Sequence, residues 1–253
     1  MKLAGRHAVV TGGGSGIGAT IARALAAEGA ALTLIGRRRD ALEQVAATLP
    51  GATVAPADIT SRAEIDAAFA VARKANGPIS ILVNNAGAAP SAPFAKVTAE
   101  GWRSAMAVNL DALFDCCQSA LPDLLAAEAG RIVTIASTAG LKGYAYTAPY
   151  VASKHGAIGL MRALAVELAK TGVTANAVCP GFTETDIVAD AIANIRAKTG
   201  RSDEEARAEL AKFNPQKRLI APEEVASAVV WLCLPENRSI TGQAIAVAGG
   251  EVM

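Results

Sequence analysis

Short apolar and β-branched runs alternate along this chain with longer Ala-rich stretches in which apolar residues recur at helical spacing. Runs at 7–11, 31–35, 52–56, 79–84, 131–136, 173–178 and 243–247 predict strands. Patterns at 17–28, 40–49, 61–75, 99–127, 150–170 and 222–232 predict helices. Strand and helix in turn predict an α/β fold: one domain over residues 1–253, with a doubly wound parallel sheet of about seven strands and helices on both faces. Ligands of such sheets bind beyond the carboxyl ends of the strands. From Phe182 to Pro222 the alternation stops and only polar and helical sequence follows, so a helical lid is expected at about 183–221.

Composition narrows the setting. A chain of 253 residues that is 52% hydrophobic and 19% charged is long and apolar enough for one large core, which excludes disorder. With 24 basic against 23 acidic side chains, the net charge of +1 gives no footprint for nucleic acid or an anionic membrane. No apolar run approaches the roughly 18 residues of a membrane span. MKLAGRHAVVTG runs into the next motif without a signal-peptide core, so the expected location is the cytoplasm. Cys116, Cys117, Cys179 and Cys233 lie in apolar segments without metal-ligand spacing; reduced core thiols and no bound metal are expected.

Against that background VTGGGSGIGA at 10–19 stands out, with five glycines within seven residues between a strand and a helix. Glycine is costly to order, so such a cluster marks a backbone that turns sharply or lies close to a ligand. Gly14, Gly16 and Ala19 satisfy the loose dinucleotide fingerprint, and the helix that follows offers its N-terminal amides and dipole to a pyrophosphate. A Rossmann-like site is therefore expected here, with a glycine-rich structural turn as the plainer alternative. Twenty positions after Gly16, where an Asp or Glu commonly holds the adenosine ribose, stands Gly36, followed by Arg37, Arg38 and Arg39. Guanidinium groups bind phosphate, which points to NADP(H), with NAD(H) as the alternative. A solvated basic helix start is the competing reading, although cations at a helix N-terminus oppose its dipole.

Two further stretches carry candidate chemistry. SILVNNAGAAP ends a strand on Asn84, Asn85, Ala86 and Gly87, small residues and amides suited to lie against a flat ligand or to make a turn. In IVTIASTAGLKGYAYTAPYVASKHG, Tyr150 and Lys154 are four apart at a helix start and so share one face. Ser137 closes the preceding strand. A tyrosine of pKa about 10 is a poor base near neutrality, and a nearby ammonium favours its phenolate.

In order and spacing these residues resemble the short-chain dehydrogenase/reductase family along essentially the whole chain. The matching motifs are TGGGSGIG at 11–18 (Gly12, Gly14, Ser15, Gly16, Ile17, Gly18), NNAG at 84–87, Asn109, Ser137, the Tyr150/Lys154 pair, and PGFTET at 180–185 (Pro180, Gly181, Thr183, Thr185). The resemblance implies that Tyr150 is the acid/base and that Ser137 polarises the substrate carbonyl. It implies that Lys154 lowers the tyrosine pKa and binds the nicotinamide ribose, and that Asn109 supports a proton-relay water. By the same resemblance Asp58 and Ile59 meet the adenine, Asn85, Ala86 and Gly87 line the cofactor, and Thr185 lies near the carboxamide. Ala248 stands where the family commonly has Asp. The resemblance also implies a homotetramer paired through the helices at 99–127 and 150–170.

The expected reaction is ketone to secondary alcohol interconversion. The branch that handles 3-oxoacyl thioesters or polyketide ketones is the most similar, and a 3-oxoacyl-CoA is the expected substrate. Another small ketone, a cyclic alcohol or a sugar is the alternative. Between Arg196 and Arg218 lie seven basic and four acidic side chains, which suit CoA phosphates or a solvated helix pair. An acyl chain would then enter past Phe182 and Ile187. A non-catalytic cofactor sensor on the same fold would be expected to lose catalytic groups, and the candidates are present. An epimerase or dehydratase would need a larger C-terminal domain than this chain has room for.

Overall fold

The computed structural model describes residues 1–252; the side chains of Asp186 and Ile187, and with them the expected acyl contact at Ile187, lie outside the described residues. Seven parallel strands make one sheet: β1 (His7–Thr11), β2 (Ala31–Gly36), β3 (Thr53–Pro56), β4 (Ile81–Asn84), β5 (Arg131–Ile135), β6 (Thr174–Pro180) and β7 (Ala244–Val247). Their order is β3-β2-β1-β4-β5-β6-β7, so the winding reverses between β1 and β4. The strand cores appear where β-branched and apolar residues cluster; β1 matches the sequence expectation and the ends of the others differ from it by at most two residues.

Period-two alternation feeds two cores. Val9, Leu82, Ile132 and Ala175 point to one face and meet α3 (Arg62–Asn76), α5 (Ala112–Ala126) and α6 (Ala148–Glu167). Val10, Val83, Val133 and Val178 point to the other and meet α1 (Gly16–Ala27), α2 (Arg39–Ala46) and α9 (Pro222–Cys233). Strands buried on both faces are what a parallel sheet between helical layers requires. The four cysteines are buried free thiols, and burial pushes Cys179 up to about 11 and Cys117 and Cys233 up to about 12. Among the described residues no helix is long and apolar enough to cross a membrane.

One expectation needs correction. The helix expected over 99–127 is interrupted: α4 (Ala99–Met106) leads into a π-helical segment at Ala107–Asp111 before α5 begins. Periodicity does not register one extra residue in a turn, which is what a π-bulge inserts. The bulge turns Asn109 inward, where it is buried. The segment after β6 does fold as helices, α7 (Asp186–Thr199) and α8 (Asp203–Ala211), which share a small core of Val188, Ile192, Ala206, Leu210 and Leu219. A Thr183–Ile220 bridge joins the two ends of this excursion, so it leaves and rejoins the domain at one point.

Candidate active site

Strand ends and helix starts meet at one edge of a parallel sheet, and the reversal between β1 and β4 opens a crevice there. Its floor is stitched by Thr11 and Asn85. The Thr11 hydroxyl accepts from the N–H groups of Asn85 and Ala86 at 3.0 and 3.1 Å, and the Asn85 amide donates to Thr11 O and Gly12 O at 3.0 and 3.3 Å. That stitch explains two glycines. Gly12 has φ +65°, and a Cβ there would stand 2.7 Å from Asn85 Nδ2; a Cβ on Gly18 would stand 2.2 Å from Gly12 O. The loop thus folds onto the first turn of α1 with no side chain between.

The start of α1 suits an anion. Its first turn holds no acidic residue, the N-cap Ser15 makes no side-chain cap bond, and the first amides of a helix have no intrahelical partner. Gly14 packs on the start of α2, and Gly16 on Thr185. Arg38, the N-cap of α2, donates to Ser15 Oγ at 3.3 Å, so it reaches the glycine loop, whereas Arg39 turns to Glu43 at 3.4 Å. Beyond β3, the N–H and hydroxyl of Thr60 donate to Asp58 and hold its carboxyl below the usual range, with the Arg37 charge adding to the effect. Ile59 beside it is buried. Open amides, glycines where a Cβ would collide, and two guanidinium groups between them fit a phosphorylated dinucleotide.

On the other side of the crevice Asn109 grips the chain after NNAG: it accepts from Ala88 N at 3.1 Å and donates to Ala88 O and Ala105 O at 2.9 and 3.0 Å. A Cβ on Gly87 would meet Asn109 Oδ1 at 2.7 Å and Lys154 Nζ at 3.6 Å. The Asn84 Oδ1 at the end of β4 is buried without a partner among the described residues. Pro180 ends β6, Gly181 N bonds Val247 O at 3.1 Å, and Thr183 and Thr185 bond backward along the PGFTET turn.

Ser137 follows β5, and Tyr150 and Lys154 lie on the first turns of α6. The Lys154 ammonium is buried and donates to Ile135 O at 2.8 Å, which ties the helix to the end of the strand. The contact brings the half-buried Tyr150 beside Ser137. The electrostatics differ from the sequence expectation that Lys154 lowers the tyrosine pKa. In the protein alone burial holds Tyr150 above its ordinary value and the nearby Ser137 hydroxyl is the opposing influence; the ammonium stands 5.6 Å from the ring centroid. Burial also brings Lys154 down to about 8. A phenol, a hydroxyl and an ammonium that converge at one strand end can polarise a carbonyl and exchange a proton with its oxygen.

One alternative left open by the sequence is favoured, and one feature was missed. Five of the seven lid cations, Arg196, Arg201, Arg207, Lys212 and Arg218, pair with carboxylates, which supply the solvated-pair alternative and leave Lys198 and Lys217 without such a partner among the described residues. Sequence reasoning also missed a cluster beside Ser137. Tyr144, Phe182 and Phe213 form an aromatic wall with centroids 5.5–6.2 Å apart, and Lys142 lies over Tyr144 and Phe213. The only local signal was the aromatic content of the loop before Tyr150.

The family model described as short chain dehydrogenase matches residues 6–196. A putative ketoacyl reductase of Streptomyces coelicolor is 39% identical over 249 residues, covering 96% of this chain and 95% of the relative. A D-beta-hydroxybutyrate dehydrogenase of Cupriavidus necator is 37% identical over 255 residues, covering 99% of each. Among solved structures, an actinorhodin polyketide ketoreductase variant crystallised with NADPH superposes with a TM-score of 0.93 at 38% identity, over 97% of each chain.

The buried Lys154 makes a stability prediction. Its pKa falls from 10.5 in the unfolded chain to about 8 in the folded one, so the unfolded state binds the extra proton between those values. Stability therefore rises with pH across that window. The unfolding free energy of the wild type minus that of Lys154→Met should grow by roughly 2–3 kcal/mol from pH 7 to pH 10.5, at 1.36 kcal/mol per unit. Denaturant melts of both proteins across this range measure it; a flat difference contradicts a depressed lysine.

Proposed function

The chain belongs to the short-chain dehydrogenase family, and from that premise we propose that it reduces the oxo group of a 3-oxoacyl thioester, reversibly and with NADP(H). It is an NAD(P)-dependent oxidoreductase that interconverts a ketone and a secondary alcohol. The observation that carries the reading is the convergence of Ser137 and Tyr150 at the end of β5 with the buried Lys154 ammonium 5.6 Å from the Tyr150 ring and bonded to Ile135 O.

The nicotinamide, when bound, supplies or accepts the hydride. The protein's part is proton handling and orientation. Ser137 donates a hydrogen bond to the substrate oxygen, and Tyr150 O–H gives it a proton in reduction and takes one back in oxidation. Lys154 stays mostly protonated at neutral pH, since its pKa is about 8, and its charge favours the phenolate left behind. We assign Asn109 a supporting role, because its amide holds Ala88 and Ala105 on the side of the crevice where Lys154 lies. Gly12, Gly14, Ser15, Gly16, Ile17 and Gly18 would hold the diphosphate, and Asp58, Ile59, Asn85, Ala86 and Gly87 the rest of the cofactor with Pro180, Gly181, Thr183 and Thr185.

Arg37 and Arg38 at the end of β2 support NADP(H), since Arg38 reaches Ser15 at the glycine loop. The segment 183–221 is proposed as the lid of the single domain. A homotetramer through α5 and α6 is supported by exposed Phe114, Leu125 and Val166. The cytoplasm is the proposed location. For the substrate, ketoacyl and β-hydroxybutyrate in the relatives' names share an oxygen function on an acyl chain. We propose a CoA ester as the form used. The paired lid cations and the aromatic wall favour a second reading, a polyketide-type ketone without a phosphate tail.

Three outcomes are expected. Tyr150→Phe keeps the ring and removes the proton, so ketone turnover should drop at least about 100-fold while NADPH still quenches protein fluorescence. In the Arg37→Ala/Arg38→Ala double variant the KM for NADPH should rise at least about tenfold more than that for NADH, the size of a lost charged hydrogen bond; equal rises contradict a phosphate grip. Acetoacetyl-CoA should be reduced faster than a matched small ketone without the CoA portion, and equal rates would favour the second reading.

A further inference from the structure

Past β7 the chain turns inward and buries one carboxylate. The Glu251 side chain is 1% exposed. Its Oε1 accepts a hydrogen bond from the Tyr144 hydroxyl and lies 3.0 Å from the Lys142 ammonium. Its Oε2 is buried without a partner among the described residues. That oxygen occupies space left by the missing side chain of Gly181, where a Cβ would stand 3.0 Å from it. A carboxylate held out of water with one oxygen unmatched is costly, and such a group calls for a reason.

The reason lies in what its two donors belong to. Lys142 and Tyr144 are both in the loop between Ser137 and α6. The Tyr144 hydroxyl is 2.6 Å from the Thr138 hydroxyl, and Thr138 is the residue after Ser137. Thr138 opens the short 3₁₀ turn Thr138–Gly140, and Ala139 N in that turn donates to Ser137 Oγ at 3.1 Å. The turn continues in bonds from Leu141 N and Lys142 N to Thr138 O, at 2.9 and 3.0 Å. Two donors from one loop therefore converge on a single oxygen delivered by the C-terminal tail, and the bond chain ends beside the hydroxyl that meets Tyr150. Charge-assisted bonds of this kind are the stronger ones and hold geometry well.

We infer that Glu251 is a positioning residue of the active site, which acts through the Tyr144 hydroxyl and the Lys142 ammonium to fix the loop that holds Ser137 against Tyr150. The kinetic consequence rests on the ketone-reduction reading; the effect on Tyr150 does not. Without the carboxylate the loop loses its anchor, Ser137 spends less time beside the phenol, and its opposition to the burial of Tyr150 weakens.

Glu251→Gln keeps the shape and an acceptor but loses the charge, and Tyr144→Phe removes the hydroxyl with little change in packing. In each, kcat should fall about three- to tenfold, the size of one hydrogen bond, while the KM for ketone and the Kd for NADPH stay within about twofold. The double variant should be no slower than the worse single one, since both break the same chain. A merely structural role would move KM, Kd and Tm together. The chain has three tyrosines, so ring-¹³C tyrosine labelling, with Tyr150→Phe for assignment, isolates the Tyr150 signal in the cofactor-free protein. Tyr150 faces Ser137, Lys154, Cys179 and Tyr144, and in Glu251→Gln and Tyr144→Phe its ionisation should begin at higher pH than in the wild type. If the Tyr150 signal moves but the wild type reduces no ketone, the positioning stands and the reaction reading fails. An active wild type whose kcat and Tyr150 ionisation are unchanged by both substitutions overturns the inference.

Discussion

Everything in this molecule hangs on the reversal of winding between β1 and β4. Two neighbouring parallel strands send their chains to opposite faces of the sheet, so no helix crosses between them at the carboxyl edge and a crevice stays open. Register sets Val10 beside Val83, so Thr11 and Asn84 end side by side at its floor. The Thr11–Asn85 stitch then fixes how close the glycine loop comes to the NNAG turn. Because the strands are parallel, β5 and β6 deliver Ser137 and the PGFTET turn to the same edge, and α6 needs only one anchor to complete the site.

That anchor is an ammonium taken out of water. The bond from Lys154 to Ile135 O positions the helix, and the same burial lowers the lysine and raises Tyr150. Such a site is stable only because the sheet and two helical layers on either side over-determine it. Several polar groups at the edge are held by backbone: Asn109 by Ala88 and Ala105, Asp58 by Thr60 N, Ser137 by Ala139 N. Backbone partners of this kind leave side-chain hydroxyls and amides in fixed orientation, which suits preorganised chemistry.

The excursion from Thr183 to Ile220 obeys a different rule. It owns a small core, is closed at its base by the Thr183–Ile220 bridge, and meets the domain at a wall of aromatic rings. Its charges are mostly spent on one another at the surface, where ion pairs contribute little.

The sequence by itself determined the sheet, the layers and most of the site. Strand and helix periods, glycines at a strand end, and the Tyr150/Lys154 interval are local patterns, and local patterns follow from backbone geometry alone. Resemblance to a family, rather than spacing, named Ser137, Asn85, Asn109 and Thr185 as site residues, and the arginine run after Gly36 named Arg38. Tertiary structure decided the rest. One extra residue in the turn at Ala107–Asp111, invisible to a period of 3.6, turned Asn109 inward. Desolvation, which depends on what packs around a group, raised Tyr150 above its ordinary value and brought Lys154 down. The lid cations found carboxylates, as from Arg207 to Glu184, that no count of charges could assign. Glu251 met Tyr144 across 107 residues of chain. A contact of that reach has no period and no motif; it exists only because β7 returns beside β6 and carries the tail over the end of the sheet.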